Sequence, residues 1–240
     1  WLKFSELEEE MQDRIKDFSF LIYYFRNMTE QERDEMFLRL NNGKPLSKIE
    51  LVRVEAGQNF MEYVRELAKN PFFKNCNISD SQRAKFTDEE VILQCIVMAT
   101  EDGVNGLSGG ALSENVNIIK KQGLTEDEKQ NIEQTIEFLN VAFVEKVKFL
   151  KKVNIPVIFY TALYNREMNA TDFSFAMQEF FKSPTEEYKE ACSSGSAKAE
   201  NVAIRVEELE NYLMSKHGNM EQPEEEQQEE VTEDEEGETW

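Results

Sequence analysis

The sequence predicts a mainly α protein: a helical body, one short strand and helix at its amino end, and an acidic disordered tail. Three observations carry this expectation. Capping boxes recur ahead of apolar residues spaced three and four apart, the pattern of amphipathic helices. One short run alone, "FSFLIYYF", has the continuous apolar and aromatic character of a buried strand. The stretch Glu221–Trp240 holds 11 acidic residues and no Lys or Arg. Like charges at that density cannot bury enough apolar surface to offset the entropy of ordering.

Taken in order, Ser5 with Glu8 forms S-x-x-E ahead of Leu7, Met11 and Ile15, predicting a helix over Glu6–Asp17. The strand follows, Ser19–Phe25. Thr29 with Glu32 opens a second helix over Glu30–Asn41, which Asn42-Gly43 ends because glycine accepts the left-handed conformation past a helix end. Pro45 delays the next helix, and Ser47 with Glu50 starts it. Leu51, Val54, Phe60, Met61, Val64 and Leu67 carry that helix to Lys69, and Asn70-Pro71 closes it. Thr87–Ala99 is mostly apolar and predicts a core helix. Glu101–Ser113 reads as a glycine-rich loop, and Thr125 with Glu128 predicts one long helix over Glu126–Val153. Further helices are expected at Ile155–Asn165, Thr171–Phe181, Pro184–Cys192 and Ala199–Lys216. No repeat of fixed period is visible.

The totals bound the function. The 240 residues are long enough for a real core, and hydrophobic residues make up 40% of them. The formal net charge is −21, and the body remains acidic without the tail. That balance argues against nonspecific nucleic-acid binding, which rests on Lys and Arg neutralising phosphates. Cys76, Cys95 and Cys192 are odd in number and lack a CxxC, so neither a disulfide framework nor a zinc site is indicated, and a reducing cytoplasm fits best. No apolar run reaches the roughly 18 residues that span a bilayer, so no membrane partner is expected. The chain opens on Trp1, not Met, which reads as a fragment of something longer.

Catalytic signals are missing. His217 is the single histidine and reads as a solvated residue at a helix end, so no triad, Cys–His pair or histidine metal cluster can be assembled. "GVNGLSGG" lacks the lysine and serine of a phosphate-binding loop and follows a helix, not a strand. No catalytic residue, metal ligand or cofactor is assigned within the chain. One element remains. Around "RLNNGKPLSKIE", Arg39, Asn41, Lys44, Ser47, Lys48 and Arg53 put cationic and amide donors beside a helix start, where free N–H groups favour an anion. The same turn is also accounted for as punctuation between two helices, and both readings stand.

The stretch "LKFSELEEEMQDRIKDFSFLIYYFRNMTEQERDEMFLRLNNGKPLSKIELVRV" resembles the segment after the nucleotide-binding core in ParB-like proteins, the amino-terminal half of GmrSD-type, modification-dependent restriction enzymes. Phe37, Arg39, Leu40, Asn41, Gly43, Leu46 and Glu50 match that family's F-x-R-[LI]-N-x-G-x-x-L-x-x-x-E pattern. The resemblance implies that residues 1–54 are the end of a truncated ParB-like α+β core, 55–216 a helical domain and 217–240 a disordered tail. It implies that Ser19–Phe25 pairs with strands of a missing amino-terminal ParB-like half carrying the hallmark D-G-Q-Q-R motif, absent here. Arg39, Asn41, Gly43, Lys44 and Glu50 would then serve a nucleotide or phosphate site. The intact protein, bacterial or phage-encoded, would bind or hydrolyse NTP, with Mg, and act on DNA in restriction, phage defence or counter-defence, while this chain alone would be silent. The alternative is a non-enzymatic helical adaptor, or a DNA-mimicking acidic protein whose tail competes for basic surfaces.

Overall fold

The computed structural model describes residues 3–22, 24–40, 46–100 and 106–220. The protein is mainly α. It divides into two compact units, residues 1–45 and 46–240.

The first unit contains a short 3₁₀ turn at Phe4–Glu6, helix α1 (Glu9–Lys16) and helix α2 (Glu30–Leu40). The Ser5–Glu8 box does not form. The Lys3 N–H donates to the Glu6 carboxylate at 2.8 Å, and the helix starts later, after Glu8. The Thr29–Glu32 box does form: the Glu32 N–H donates to the Thr29 hydroxyl at 3.2 Å, and the Thr29 N–H to the Glu32 carboxylate at 2.9 Å. The expected strand is absent. The described residues of 19–25 are neither helix nor strand. A strand needs a neighbour for its N–H and C=O groups, and the described residues of this chain supply none. Phe20, Leu21, Ile22 and Tyr24 lie 78–81% exposed. No described side chain of this unit is buried.

The second unit begins with α3 (Lys48–Ala56), capped by the reciprocal Ser47–Glu50 box. The single helix expected through Lys69 is broken at Gly57, whose φ of 79° and ψ of 170° are open to almost no other residue. Helix α4 (Gln58–Leu67) starts at once in a new direction, so Val52 and Ala56 of one helix and Met61 and Val64 of the other all reach the core. Asn70-Pro71 opens a helix as well as ending one: the Asn70 side chain accepts from the Phe72 N–H at 2.9 Å and starts α5 (Pro71–Asn75), with proline at a first-turn position where its missing N–H costs nothing. Helix α6 (Asp80–Arg83) follows under a Ser79–Gln82 box.

Helix α7 (Thr87–Thr100) is buried continuously from Val91 to Met98, and α10 (Ile155–Tyr164) buries seven of its ten residues. Helices apolar all round are stable only when enclosed. Around them stand α8 (Gly109–Gln122), α9 (Glu126–Ala142), α11 (Ala170–Lys182), α12 (Glu186–Ala191) and α13 (Ala199–Met220). Helix α7 contacts α4, α6, α8, α9 and α10, and α10 also contacts α9 and α13. A phenylalanine cluster joins the core: Phe72, Phe143, Phe149, Phe173 and Phe181 pack edge to face, stacked or tilted, with centroids 4.5–6.5 Å apart.

Two further expectations are corrected. The glycine-rich stretch is not a loop throughout: Gly109 and Gly110 form the first turn of α8, while residues 101–105 lie outside the described set. A Cβ on Gly109 would sit 2.8 Å from the Lys48 side chain, so this glycine serves the close approach of α8 to α3. The helix expected over Glu126–Val153 stops at Ala142. Its released carbonyls are taken by distant amides: Asn75 Nδ2 donates to Val144 O at 2.8 Å, Asn77 Nδ2 to Lys148 O at 3.1 Å, and the Asn77 N–H to Leu150 O at 2.7 Å. The expected long helix gives way to an irregular segment bound to the residues after α5.

Gly57→Ala places a Cβ in a glycine-only region and is expected to destabilise the protein by about 1–3 kcal/mol. Gly110→Ala has open space and an ordinary helical backbone, and is expected to be neutral or stabilising by less than about 1 kcal/mol. Chemical denaturation of the two variants against the parent distinguishes these outcomes.

Candidate functional site

Of the residues singled out around the Asn-Asn-Gly turn, Arg39 belongs to the first unit, and Glu50 and Arg53 to the second. Arg39 lies in the last turn of α2, largely exposed, 3.6 Å from the Glu35 carboxylate one turn earlier. Asn41, Gly43 and Lys44 lie outside the described residues. Glu50 belongs to the second unit, and its Oε2 accepts from the Ser47 N–H at 2.8 Å and the Ser47 hydroxyl at 2.6 Å. Arg53 is engaged elsewhere. Its Nε donates to Glu89 at 2.6 Å, and its guanidinium lies 3.5 Å from the centre of the Phe86 ring. Phe86 itself has a left-handed backbone conformation, φ 62°, unusual for a bulky residue.

A different place gathers polar groups. Four irregular segments converge on a cleft of about 460 Å³ in the second unit: residues 76–79, 106–108, 151–154 and 193–198. Two buried side chains hold the walls. From α7, Gln94 Nε2 donates to Leu107 O at 3.1 Å, while the Leu107 N–H donates to Ala197 O at 2.7 Å. From α13, Arg205 donates through Nε to Asn201 O at 3.1 Å, through Nη2 to Ser196 O at 2.5 Å and through Nη1 to Val153 O. Arg205 is 1% exposed. Burying a guanidinium is costly, and three carbonyls satisfy its donors without supplying the opposite charge.

The cleft's lining is unlike the rest of the chain. Lys151, Lys152 and Arg205 line it with Asn77, Gln82 and Ser196, and no aspartate or glutamate does. Lys152 is neutralised by Glu90 at 2.6 Å, whereas Lys151 and Arg205 have no carboxylate within 4.0 Å among the described residues. On the far side of Arg205, the Tyr188 hydroxyl and the Cys192 thiol both lie against Asn154 Oδ1, at 3.1 and 3.7 Å. Burial pushes the Cys192 thiol up, only partly opposed by the nearby Arg205 charge, so it is protonated at neutral pH and is no thiolate nucleophile. Burial draws the Arg205 pKa down, opposed by Tyr188 and Cys192. Among the described residues no group of His, Cys, Asp and Glu is placed to hold a metal ion. The arrangement suits binding of negative charge.

Sequence reading missed this cleft because its signal is faint. Arg205 occupies the core stripe of α13, three residues after Val202 and four before Leu209. A charge at a stripe position is the one visible sign of a buried role.

The thiols predict an alkaline limit to stability. Burial raises Cys76 to about 12 and lifts Cys95 well above its ordinary 9.0. Unfolded, both ionise near pH 9; folded, they stay protonated, so stability is full below pH 9 and falls as pH climbs toward 12. The slope is about 1.4 kcal/mol per pH unit for each thiol. Urea titrations at pH 8, 9.5 and 10.5 under reducing conditions measure it, and Cys95→Ala is expected to remove one thiol's share.

Comparison with known proteins adds no relative: no family model, curated protein or solved structure matches the chain.

Proposed function

We propose that this chain is the helical, carboxy-terminal portion of a ParB-like protein of the GmrSD type, joined to its core by strand addition through residues 18–25. The observation that carries this reading is the exposure of Phe20, Leu21 and Ile22. Phe20, Leu21 and Ile22 are consecutive apolar residues, so a strand formed by them would present apolar side chains on both faces, as one buried within a sheet does. All three are now in water. Burying each fully is worth about 1.5–3 kcal/mol, and main-chain pairing adds register. The match of Phe37, Arg39, Leu40, Asn41, Gly43, Leu46 and Glu50 to the family pattern supports the same assignment.

In the assembled protein the ParB-like half would carry the NTP- or DNA-directed site, and Arg39 and Asn41 would be presented toward it. This chain by itself would do no chemistry.

Purified alone, the chain is expected to show no NTP hydrolysis and no DNA nicking; Mg-dependent turnover that survives repurification would overturn the reading. Amides of 20–22 are expected to exchange freely in the isolated chain and to gain at least about a hundredfold protection when a ParB-like half is present, as ladder bonds form. Unchanged exchange would dismiss strand addition. In the complete protein, Arg39→Ala is expected to weaken nucleotide binding about tenfold, the loss of one charge-assisted hydrogen bond, at unchanged Tm. Equal losses in Tm and binding would make the motif structural.

A further inference from the structure

We propose that the cleft between residues 76–79, 106–108, 151–154 and 193–198 binds a small organic oxyanion, with Lys151 contacting its charged group and Arg205 supplying the field that draws it in. This inference is independent of strand addition, because every residue involved belongs to the second unit.

Charge, shape and construction point the same way. In a chain of net charge −21, a cavity lined by three cations and no carboxylate runs against the background. The diffuse field of so acidic a chain repels anions, so one that enters must be drawn by local positive potential. The volume of about 460 Å³ lies within the range of sites for small molecules and far exceeds a water or a chloride. Leu107, Val153, Pro156 and Ala197 give one side of the lining an apolar character, while Asn77, Gln82 and Ser196 add polar side chains to it. That mixture fits a compact organic body carrying a phosphate or carboxylate, not a bare inorganic ion.

Arg205 acts here as a positioning residue. It ties Val153 O and Ser196 O, from two of the converging loops, to α13, and its charge meets no carboxylate among the described residues. An anion in the cleft provides that missing counter-charge in a setting of reduced dielectric, where it acts more strongly than in water. Lys151 is exposed and without an ion pair among the described residues, so its ammonium can reach an incoming ligand.

Isothermal titration of the 240-residue chain with ribose 5-phosphate, citrate and inorganic phosphate tests this. The expected result is saturable one-to-one binding of ribose 5-phosphate or citrate, whichever headgroup is preferred, and weaker binding of phosphate, which lacks the organic body. Lys151→Glu is expected to weaken binding at least about tenfold, as loss of a charge-assisted hydrogen bond does. Lys121→Glu, the same charge change on α8 away from the cleft, is expected to leave it within about twofold. Circular dichroism confirms that both exposed variants remain folded. Absence of heat from all three probes at 10 mM, or equal weakening by the two variants, would overturn the proposal.

Discussion

Helix α7 is enclosed from Val91 to Met98 and α10 buries seven of its ten residues, and the second unit is arranged around that constraint. Val91 to Met98 form a continuous buried run, and Ile155 to Phe159 another. Enclosing them requires neighbours on every side, which explains why a chain of this length is cut into many short helices. Each break redirects the backbone so that another apolar stripe can face the same pair. Gly57 makes one turn through a conformation reserved for glycine, and the phenylalanine cluster makes another possible by filling the irregular gap past α9.

The first unit is the opposite case. Helix α2 is capped by the Thr29–Glu32 box, yet no described side chain in the unit is buried. Local signals are sufficient to form α1 and α2, but they cannot create a core without something to pack against. Between α1 and α2, Phe20, Leu21 and Ile22 are apolar and exposed.

Much of the fold was legible because capping is local. Thr29–Glu32, Ser47–Glu50 and Thr125–Glu128 are complete within four residues, and all three mark helix starts that form. What failed were the features decided at long range. Nothing near Ala142 announces that the helix ends; the amides of Asn75 and Asn77, some seventy positions earlier, decide it. Helix α8 was hidden because its opening glycines look like a loop, when Gly109 is needed for contact with Lys48. Arg53 illustrates the same limit in the site: its charge was visible, but not the carboxylate and the aromatic ring that occupy it. Arg205 sat in plain view within a helical stripe, and only burial distinguishes it from a surface arginine.

The Arg205 clamp also sets an order of events. The residues it fastens, and most that surround the cleft, precede it in the chain, Val153 by 52 positions. As a chain emerges from its amino end, those walls exist before the side chain that joins them. The cleft is therefore a late product of synthesis, complete only once α13 has docked.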